Sequence, residues 1–361
     1  MTTFAFPQIA ESIERLTAAA PVNDVLAVDE QVALAVRRGL GSQPKRLPAW
    51  LFYDRAGSRL FDEITERPEY YLTRTERSIL AANAGAIIAR AADGGRLRIS
   101  ELGAGSAGKT QLLLKAAVAR QGTLDYEPLD ISASALEQAK LNIEGEIAGV
   151  TVTPRVTDYT QDSARSQSRR RLRGPRRTCD SCIDLEPAPS HERRLLLYIG
   201  SSIGNFDPGQ ARQLLSRVRA SLRPGDGFLL GVDLVKERAT LLAAYDDFAG
   251  VTADFNLNLL VRLNRELDAE FILDSFEHRA VWNETESRIE MHLESRAAQT
   301  VWVAALELKV EFAQGETIHT ENSYKYAPGQ AEAMMAEAGF AATESWTDER
   351  GWFNVCLGTA I

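Results

Sequence analysis

Between Leu97 and Val235, short apolar runs alternate with longer amphipathic ones, and this alternation constrains the fold more than any other feature of the chain. The first runs are LRISELGAG, KTQLLLKAAVAR, TLDYEPLDIS, ASALEQAKLNI and VTVTPRVTDY, and the order resumes with RRLLLYIGSSIGNF, DPGQARQLLSRVRASL and FLLGVDLV. Strands that alternate with helices in this way are typical of βαβ units, which form a parallel sheet covered by helices on both faces. We therefore predict an α/β fold with a doubly wound core at residues 97–235.

Three further segments flank this predicted core. Residues 1–96 combine helix-period apolar positions at 8–40, ending near Gly39, with an aromatic, proline-interrupted stretch that suits a pocket wall. Residues 236–325 contain helices followed by alternating runs such as RIEMHLESR, which predict antiparallel strands of an added lobe. Residues 326–361 predict a helix and a final pair of strands that complete the core.

Residues 162–194 interrupt the core with an arginine-rich segment that is poor in apolar residues and contains several prolines. The segment has two interpretations: a basic loop that docks RNA or an acidic partner, or a solvated, disordered insertion. A sequencing or frame error is a third explanation. We favour the disordered insertion, because the rest of the chain is acidic and this segment has little to bury.

The charge of the chain excludes several classes of partner. The formal net charge is −9 and the pI is about 5.2. Sequence-independent binding to the phosphate backbone of a nucleic acid needs a basic surface instead. No apolar run approaches the roughly 20 residues needed to span a bilayer, and the N-terminus lacks the pattern of a signal peptide. We expect a cytoplasmic monomer that acts on a small molecule and binds neither nucleic acid nor membrane.

The cysteines do not predict a metal site. Cys179 and Cys182 have the spacing of half a zinc site, but Cys356 is the only other cysteine and the four histidines are scattered along the sequence. We interpret the three cysteines as incidental thiols of a reducing compartment and expect no metal.

A glycine-rich turn, ELGAGSAGKT, joins the first predicted strand to the first helix of the core. Gly103 and Gly105 would let the backbone approach a ligand at the carboxyl edge of the sheet, where open α/β folds bind their ligands. The letters from Gly103 to Thr110 also match the phosphate-binding pattern GxxxxGK[ST], and Asp233 would be available as a magnesium ligand. The turn alone therefore leaves a nucleotide hydrolase open.

Two carboxylates at successive strand ends favour a nucleoside pocket instead. Asp130 ends the second predicted strand about 25 residues beyond the glycines, where an acidic group can accept both ribose hydroxyls. Asp158 ends the third strand and would accept from an adenine amino group. We interpret the pair as a nucleoside site.

Long strings of the sequence resemble one known family. They include FYDRAGSRLFDEITERPEYYLTRTE, ELGAGSAGKT, GSSIGNFDP, FLLGVDLVKE, AYDDFAGVTADFNLNLL, NRELDAEF, FEHRAVWN, RIEMHL and TENSYKY. In this order they are similar to the histidine-specific, S-adenosylmethionine-dependent methyltransferases of the ergothioneine pathway, over roughly residues 30–360. The resemblance implies a Rossmann-like class I methyltransferase core with an added substrate-binding lobe, and it favours the methyltransferase over the nucleotide hydrolase.

The resemblance also implies the site residues. For the cofactor, S-adenosylmethionine, they are Gly103, Lys109, Asp130, Asp158 and Tyr159, where Tyr159 replaces a phenylalanine common in the family. For the substrate, L-histidine, they are Tyr70, Asn205 and Tyr245 at the α-amino and carboxylate groups, Tyr53, Glu321 and Ser323 at the imidazole, and Met291 nearby. Without the resemblance, Tyr70 would be interpreted as a core aromatic and Tyr245 as a helix surface residue. Asn205 would be interpreted as a turn former, Glu321 as a solvated strand residue and Met291 as a residue that fills the core.

The implied reaction transfers three methyl groups in succession to the α-amino group of L-histidine, giving the trimethyl betaine hercynine, the first step toward ergothioneine. The protein needs only to align a neutral amine with the electrophilic methyl group, so no nucleophilic side chain is required. Tyr70 and Asn205 would share hydrogen bonds with the amine, and its proton would leave through water. The alternatives are another free amino acid such as tryptophan, the nucleotide hydrolase, and a non-catalytic module that binds a partner through residues 162–194.

Overall fold

The computed structural model describes residues 29–105, 107–159 and 182–361. The helices of this part of the chain are α1 (Glu30–Leu40), α2 (Arg55–Thr65), α3 (Tyr71–Ala92), α4 (Gln111–Gln121), α5 (Ala133–Glu146), α6 (Pro208–Ser221), α7 (Arg238–Tyr245), α8 (Val251–Leu267) and α9 (Gln330–Glu337). The strands are β1 (Lys45–Arg46), β2 (Arg96–Leu102), β3 (Leu124–Asp130), β4 (Val150–Val152), β5 (Arg155–Val156), β6 (Glu192–Tyr198), β7 (Gly227–Asp233), β8 (Phe276–Asn283), β9 (Arg288–Ser295), β10 (Gln299–Val303), β11 (Leu308–Phe312), β12 (Thr317–Tyr324), β13 (Phe340–Thr347) and β14 (Phe353–Ala360).

The chain divides into two compact units. The core unit comprises Leu72–Val235 and Tyr324–Ile361, and the lobe unit comprises the described residues up to Tyr71 together with Lys236–Ser323. The first boundary differs from the one predicted after residue 96. It lies earlier because the apolar side chains of α3 pack in one cluster with those of β2, β6 and α4.

The core unit contains one mixed sheet with the strand order β13-β14-β7-β6-β2-β3-β4, and β5 pairs with β3. The strands from β4 to β7 in this order run parallel, and β14 runs antiparallel to β7 and β13. Helices α3, α4 and α5 pack in one apolar cluster on the sheet, and α6 and α9 pack in another. The predicted α/β fold with a doubly wound core is thereby confirmed.

The strand order shows where the predicted ligand-binding edge of the sheet lies. The chain moves from β2 to β3 and β4 in one direction and then returns to β6 and β7 on the other side of β2. Such a reversal opens a crevice at the carboxyl ends of the strands on either side of it. Leu102, Asp130, Tyr198 and Asp233 end four of these parallel strands and therefore share this edge.

Local signals in the sequence set several helix ends. Asp207 caps α6 by accepting from the Gln210 N–H, the Gln210 side chain accepts from the Asp207 N–H, and Pro208 is the first helical residue, as predicted. Helix α1 ends at Leu40, near the predicted glycines, while the part of that prediction before residue 29 lies outside the described residues. No helix in the described ranges is both long and apolar enough to span a membrane.

Residues 182–194 of the predicted disordered insertion at 162–194 are ordered, which corrects that part of the prediction. Residues 160–181 lie outside the described part of the chain, but Glu192, Arg193 and Arg194 belong to β6. The Arg194 side chain is buried beside the Glu127 carboxylate at 2.7 Å, and Ile183 is buried as well. The burial of Arg194 could not be predicted from the sequence, because a buried arginine with a carboxylate partner far away in the sequence has the same local pattern as a solvated arginine.

The lobe unit has a four-stranded sheet in the order β1-β12-β9-β8 and a separate β10–β11 hairpin. Strands β8 and β9 are antiparallel, as the alternating pattern predicts, and Ala280 lies opposite Met291. An aromatic cluster packs beside them: the rings of Phe52 and Phe255 stack at 4.5 Å, and Phe61 lies 6.0 Å from Phe255. The aromatic stretch of the sequence thus supplies part of the core of this unit.

Asp233 and Lys325 form an ion pair of 3.0 Å in which both side chains are 0% exposed. Loss of one partner leaves a buried charge uncompensated, which typically costs about 3–5 kcal/mol. We expect Asp233→Asn to lower the free energy of unfolding by that amount, as measured by urea denaturation. The matched control is Lys309→Met, which removes an exposed ion pair with Glu311 and should cost less than about 1 kcal/mol. Equal losses in the two variants would contradict the assignment.

Candidate active site

The glycine-rich turn after β2 leaves its backbone open. Gly103 and Gly105 have φ angles of +65° and +51°, which glycine adopts without strain. A Cβ on Gly103 would lie 2.7 Å from the Tyr159 hydroxyl oxygen, whereas no atom of the described residues lies within 4 Å of a Cβ built on Gly105 or Gly108. Gly103 therefore permits the packing of Tyr159, and the backbone is open to a ligand at Gly105 and Gly108.

Asp130 is fixed against this turn. Its Oδ2 accepts from the Gly105 N–H at 2.9 Å, and its Oδ1 accepts from the Ser132 N–H at 2.9 Å. The Tyr159 ring packs edge-to-face on Tyr198 at 5.9 Å, and burial raises the pKa of its hydroxyl well above the usual range. Gly103, Asp130 and Tyr159, predicted for the cofactor, are thus brought together; Asp158 precedes Tyr159 and is half-buried.

Lys109 is oriented by a carboxylate that the sequence analysis missed. Its ammonium forms an ion pair with Glu76, whose side chain is 0% exposed on α3. Glu76 Oε1 also accepts from the Gly200 N–H at 2.8 Å, just beyond β6. Glu76 ends the first of the family-like strings, but nothing in its local pattern distinguishes it from a surface acid.

Asn205 ends a short 3₁₀ turn, Ser202–Asn205, that follows β6. Ser201 before it has a φ of +58°, and its hydroxyl oxygen accepts from the Asp233 N–H at 2.9 Å. A Cβ on Gly204 would lie 2.9 Å from the Tyr324 carbonyl oxygen, so the turn fits closely on that backbone. The structure therefore places Asn205 on a turn whose backbone is fixed at the carboxyl edge of the sheet.

The same contacts disfavour a phosphate-binding loop with magnesium. The Thr110 hydroxyl donates to the buried Glu101 carboxylate at 2.7 and 2.8 Å, so it is engaged away from any metal. Asp233, the candidate magnesium ligand, is neutralised by Lys325 and fully buried. A nucleotide hydrolase of this type needs a hydroxyl and a carboxylate that can reach a metal, and these two residues do not provide them.

Four of the predicted substrate residues form one chain of contacts in the lobe unit. The Tyr245 hydroxyl lies 2.7 Å from the Ser323 hydroxyl, and the Tyr70 ring packs edge-to-face on Tyr245 at 6.2 Å. Phe61 links Tyr70 to Tyr53, with ring centroids 6.2 and 5.8 Å away. These tyrosines are therefore neighbours, although they lie far apart in the sequence.

Met291 and Glu321 lie on two neighbouring strands of the same unit. Met291 belongs to the buried face of β9, with Ile289 and Leu293. Glu321 is half-buried on β12, two residues before Ser323. The regular in–out alternation of β12 breaks at Glu321 and Asn322, so that Thr320 and Ser323 are both buried.

A buried polar network, also missed from the sequence, supports this arrangement. One nitrogen of His278, Nε2, contacts the Tyr245 carbonyl oxygen at 2.9 Å, and the other, Nδ1, lies 2.8 Å from Asn256 Nδ2. Burial lowers the pKa of His278, which favours a neutral ring that donates through Nε2 and accepts at Nδ1. Asn256 Oδ1 accepts from the Thr320 hydroxyl at 2.8 Å. The network ties the end of α7 to β12 and so fixes both partners of the Tyr245–Ser323 pair.

Comparison with known proteins shows that the chain belongs to one protein family. The family model described as "Histidine-specific methyltransferase, SAM-dependent" matches residues 32–360. The histidine N-alpha-methyltransferase of Mycolicibacterium smegmatis is 44% identical over 322 residues, covering 89% of this chain and 92% of that protein. The protein of the same name from Mycobacterium tuberculosis is 42% identical over 329 residues, covering 90% and 94%. Ergothioneine biosynthesis protein 1 of Neurospora crassa is 30% identical over 310 residues, covering 84% of this chain and 32% of that protein.

The Glu101 carboxyl beside the glycine-rich turn makes stability depend on pH. Burial raises its pKa from 4.5 to about 7, although hydrogen bonds from Tyr126 and Thr110 oppose the shift. Between these two pH values the folded protein binds more protons than the unfolded chain, so stability falls as the pH rises. The contribution of Glu101 is fully present below about pH 4.5 and is lost as the pH passes about 7.

We therefore expect Glu101→Gln to remove this dependence. From about pH 5 to about pH 8, the stability of the variant relative to the unsubstituted protein should improve by up to roughly 3 kcal/mol, at about 1.4 kcal/mol per pKa unit. Urea denaturation across this range measures the difference. Glu337→Gln, on the exposed side of α9, is the control and should leave the slope unchanged. A constant difference between Glu101→Gln and the unsubstituted protein would refute the shift.

Proposed function

Because the chain belongs to the family of histidine-specific, S-adenosylmethionine-dependent methyltransferases, we propose that it trimethylates the α-amino group of L-histidine. The protein is an S-adenosylmethionine-dependent methyltransferase, and S-adenosylmethionine is its cofactor. The product would be hercynine, the first intermediate toward ergothioneine. One observation carries the choice of substrate: the match to named histidine N-alpha-methyltransferases spans about nine-tenths of the chain. The match to the histidine-specific family, over residues 32–360, includes both the glycine-rich turn and the contacting residues Tyr53, Tyr70, Tyr245 and Ser323.

The cofactor fits the residues at the carboxyl edge of the core sheet. The open backbone at Gly105 leaves room for a ligand, and the fixed Asp130 carboxylate is suited to accept from ribose hydroxyls. Asp158 would accept from the adenine amino group, and Tyr159 would pack beside it. Lys109, held by Glu76, would offer a donor to the carboxylate at the amino-acid end. When bound, the cofactor supplies a methyl group on a sulfonium, which is already electrophilic.

The substrate residues have separate tasks in this proposal. Tyr70, Asn205 and Tyr245 would hold the α-amino and carboxylate groups and align the amine. The amine must be neutral to react, and an α-amino group has a pKa of about 8. Tyr70 and Asn205 would share hydrogen bonds with it while its proton leaves through water. Tyr53 and Met291 would pack around the imidazole.

Selectivity for histidine would come from Glu321 and Ser323. A carboxylate accepts a hydrogen bond from an imidazole N–H, and an apolar side chain would leave that carboxylate unpaired. Ser323 is already held by Tyr245 at 2.7 Å, so its hydroxyl has a defined position. The presence of Glu321, Ser323 and Met291 argues against tryptophan as the main substrate.

The first test is mass spectrometry of the products. Purified protein is incubated with S-adenosylmethionine and an equimolar mixture of the standard amino acids. We expect a gain of three methyl groups on histidine alone. Methylation of another amino acid would contradict the specificity argument but keep the cofactor, and a complete lack of methylation would contradict the proposal itself.

Two substitutions separate the cofactor from the substrate. We expect Asp130→Ala to weaken S-adenosylmethionine binding by at least about tenfold and Glu321→Ala to weaken histidine binding similarly, since each removes a charge-assisted hydrogen bond worth about 1.5–3 kcal/mol. Calorimetric titration of each ligand into each variant measures both affinities, with the exposed Glu286→Ala as control. Equal losses of both ligands in both variants would show that the residue roles are wrong.

A further inference from the structure

Three side chains that commonly bind metals converge on β9 and β12 of the lobe unit, outside the residues assigned to histidine or the cofactor. Glu290, His292 and His319 each offer one ligand atom, and these atoms lie within 4.8 Å of one another. Glu290 Oε2 is 3.1 Å from His292 Nε2, and the two imidazole rings are 5.0 Å apart. We propose that this cluster, the Glu290–His292–His319 site, binds one divalent transition-metal ion.

The sheet itself builds the site. Along β9, Glu290 and His292 alternate with the buried Ile289, Met291 and Leu293, so the two ligands share the opposite face. Strand β12 lies next to β9, and His319 alternates there with the buried Ile318 and Thr320. The three ligands thus stand on two rigid neighbouring strands, which limits the rearrangement that coordination requires.

Neighbouring polar groups orient two of the ligands. Glu290 Oε1 accepts from Asn283 Nδ2 at 2.9 Å and from Arg288 Nε at 2.8 Å, which turns Oε2 toward His292. His319 Nε2 lies 3.0 Å from Asn322 Oδ1, so Nε2 carries the proton and Nδ1 keeps a lone pair. Hydrogen bonds of this kind hold the ligands of known metal sites in their tautomer and orientation.

His292 is incompletely satisfied by the protein. Its Nδ1 is buried and has no hydrogen-bond partner among the described residues. Whichever tautomer the ring adopts, the surrounding side chains satisfy only the Nε2 atom, which faces Glu290. Nε2 is therefore the nitrogen that an ion beside Glu290 would contact, with the ring proton on Nδ1.

The ligand set favours zinc-like ions over magnesium or calcium. Two imidazoles and one carboxylate suit Zn²⁺, Co²⁺, Ni²⁺ or Cu²⁺, whereas Mg²⁺ and Ca²⁺ prefer oxygen ligands. Ligand atoms at about 2.0 Å from a tetrahedral ion lie roughly 3.3 Å from each other, close to the 3.1 Å between Glu290 and His292. His319 would have to approach by side-chain rotation, and a water would complete four-coordination.

The positive charge of Arg288 should weaken metal binding at this site, and its removal is therefore the most specific test of the proposal. Its Nη2 lies 2.6 Å from Glu290 Oε1, so its positive charge neutralises the carboxylate that the ion needs. Replacement by glutamine would remove a cation from the immediate surroundings of the site. The proposal therefore expects Arg288→Gln to bind metal more tightly, a gain that misfolding would not produce.

The experiment is a titration of Zn²⁺ into metal-free protein by calorimetry, with Co²⁺ absorption bands as a report of imidazole coordination. We expect one ion per chain, weakened at least about tenfold by His292→Gln, His319→Gln or Glu290→Gln, and tightened by Arg288→Gln. His191→Gln removes the exposed histidine outside the cluster and should bind like the unsubstituted protein. Circular dichroism and S-adenosylmethionine binding verify that each variant is folded.

Several results would overturn the proposal. These are the lack of saturable binding, undiminished binding in His292→Gln and His319→Gln, or weaker binding in Arg288→Gln. A fourth is loss of the ion in a Cys179→Ser, Cys182→Ser variant while His319→Gln retains it, which would place the ion on the cysteines. Because the readout is metal binding, its failure leaves the proposed methyl transfer untouched, and failure of methyl transfer leaves this site untouched.

Discussion

The buried Glu76 carboxylate is the interaction on which the ligand edge of the core unit depends. It forms an ion pair with Lys109 after the glycine turn and accepts from the Gly200 N–H beyond β6. A Cβ on Gly231 of β7 would collide with it, so the carboxylate also fixes the approach of that strand. An unpaired charge at this depth would cost several kcal/mol, which means that α3, the turn, β6 and β7 can pack together only when these partners are in place. One side chain thereby couples four elements that the sequence places far apart.

The sequence contains enough information for the architecture and for the position of Asp130 at the end of a strand. Alternating apolar runs predict the doubly wound core, and Asp207 with Pro208 predicts the start of α6, because these signals are local. Asp130 was predictable for the same reason. Glu76, His278 and Asn256 were not, since their significance comes from partners more than 20 residues away. The boundary at residue 96 failed on similar grounds, because only packing shows that α3 belongs to the core unit.

The residues from Gly103 to Thr110, which match the phosphate-binding pattern GxxxxGK[ST], show that the contacts of a motif's side chains determine its function. Thr110 has the hydroxyl that a phosphate-binding loop would offer to magnesium, but here it donates to Glu101. Lys109 has the ammonium, but it is held by Glu76, and the strand-end carboxylate of Asp233 is neutralised by Lys325. Thr110 and Asp233 are buried and satisfied within the protein, so neither is available to a metal–nucleotide complex. The same turn remains open at Gly105, where a ligand without magnesium can approach the backbone.

Methyl transfer from a sulfonium demands alignment more than chemical assistance, and the lobe unit contains polar groups that restrain one another. Its polar groups are joined in a closed path: Thr320 to Asn256, Asn256 to His278, His278 to the Tyr245 carbonyl, and the Tyr245 hydroxyl to Ser323 on the strand of Thr320. Such a path restrains its members, and Asn256 and His278 cannot rotate without breaking two of its contacts. The Thr320 hydroxyl also lies 3.0 Å from the Met291 carbonyl oxygen, which links β9 to this path, and Glu290, His292 and His319 lie on the same two strands. An ion on these three residues would therefore stiffen the two strands to which Met291 and Glu321 belong.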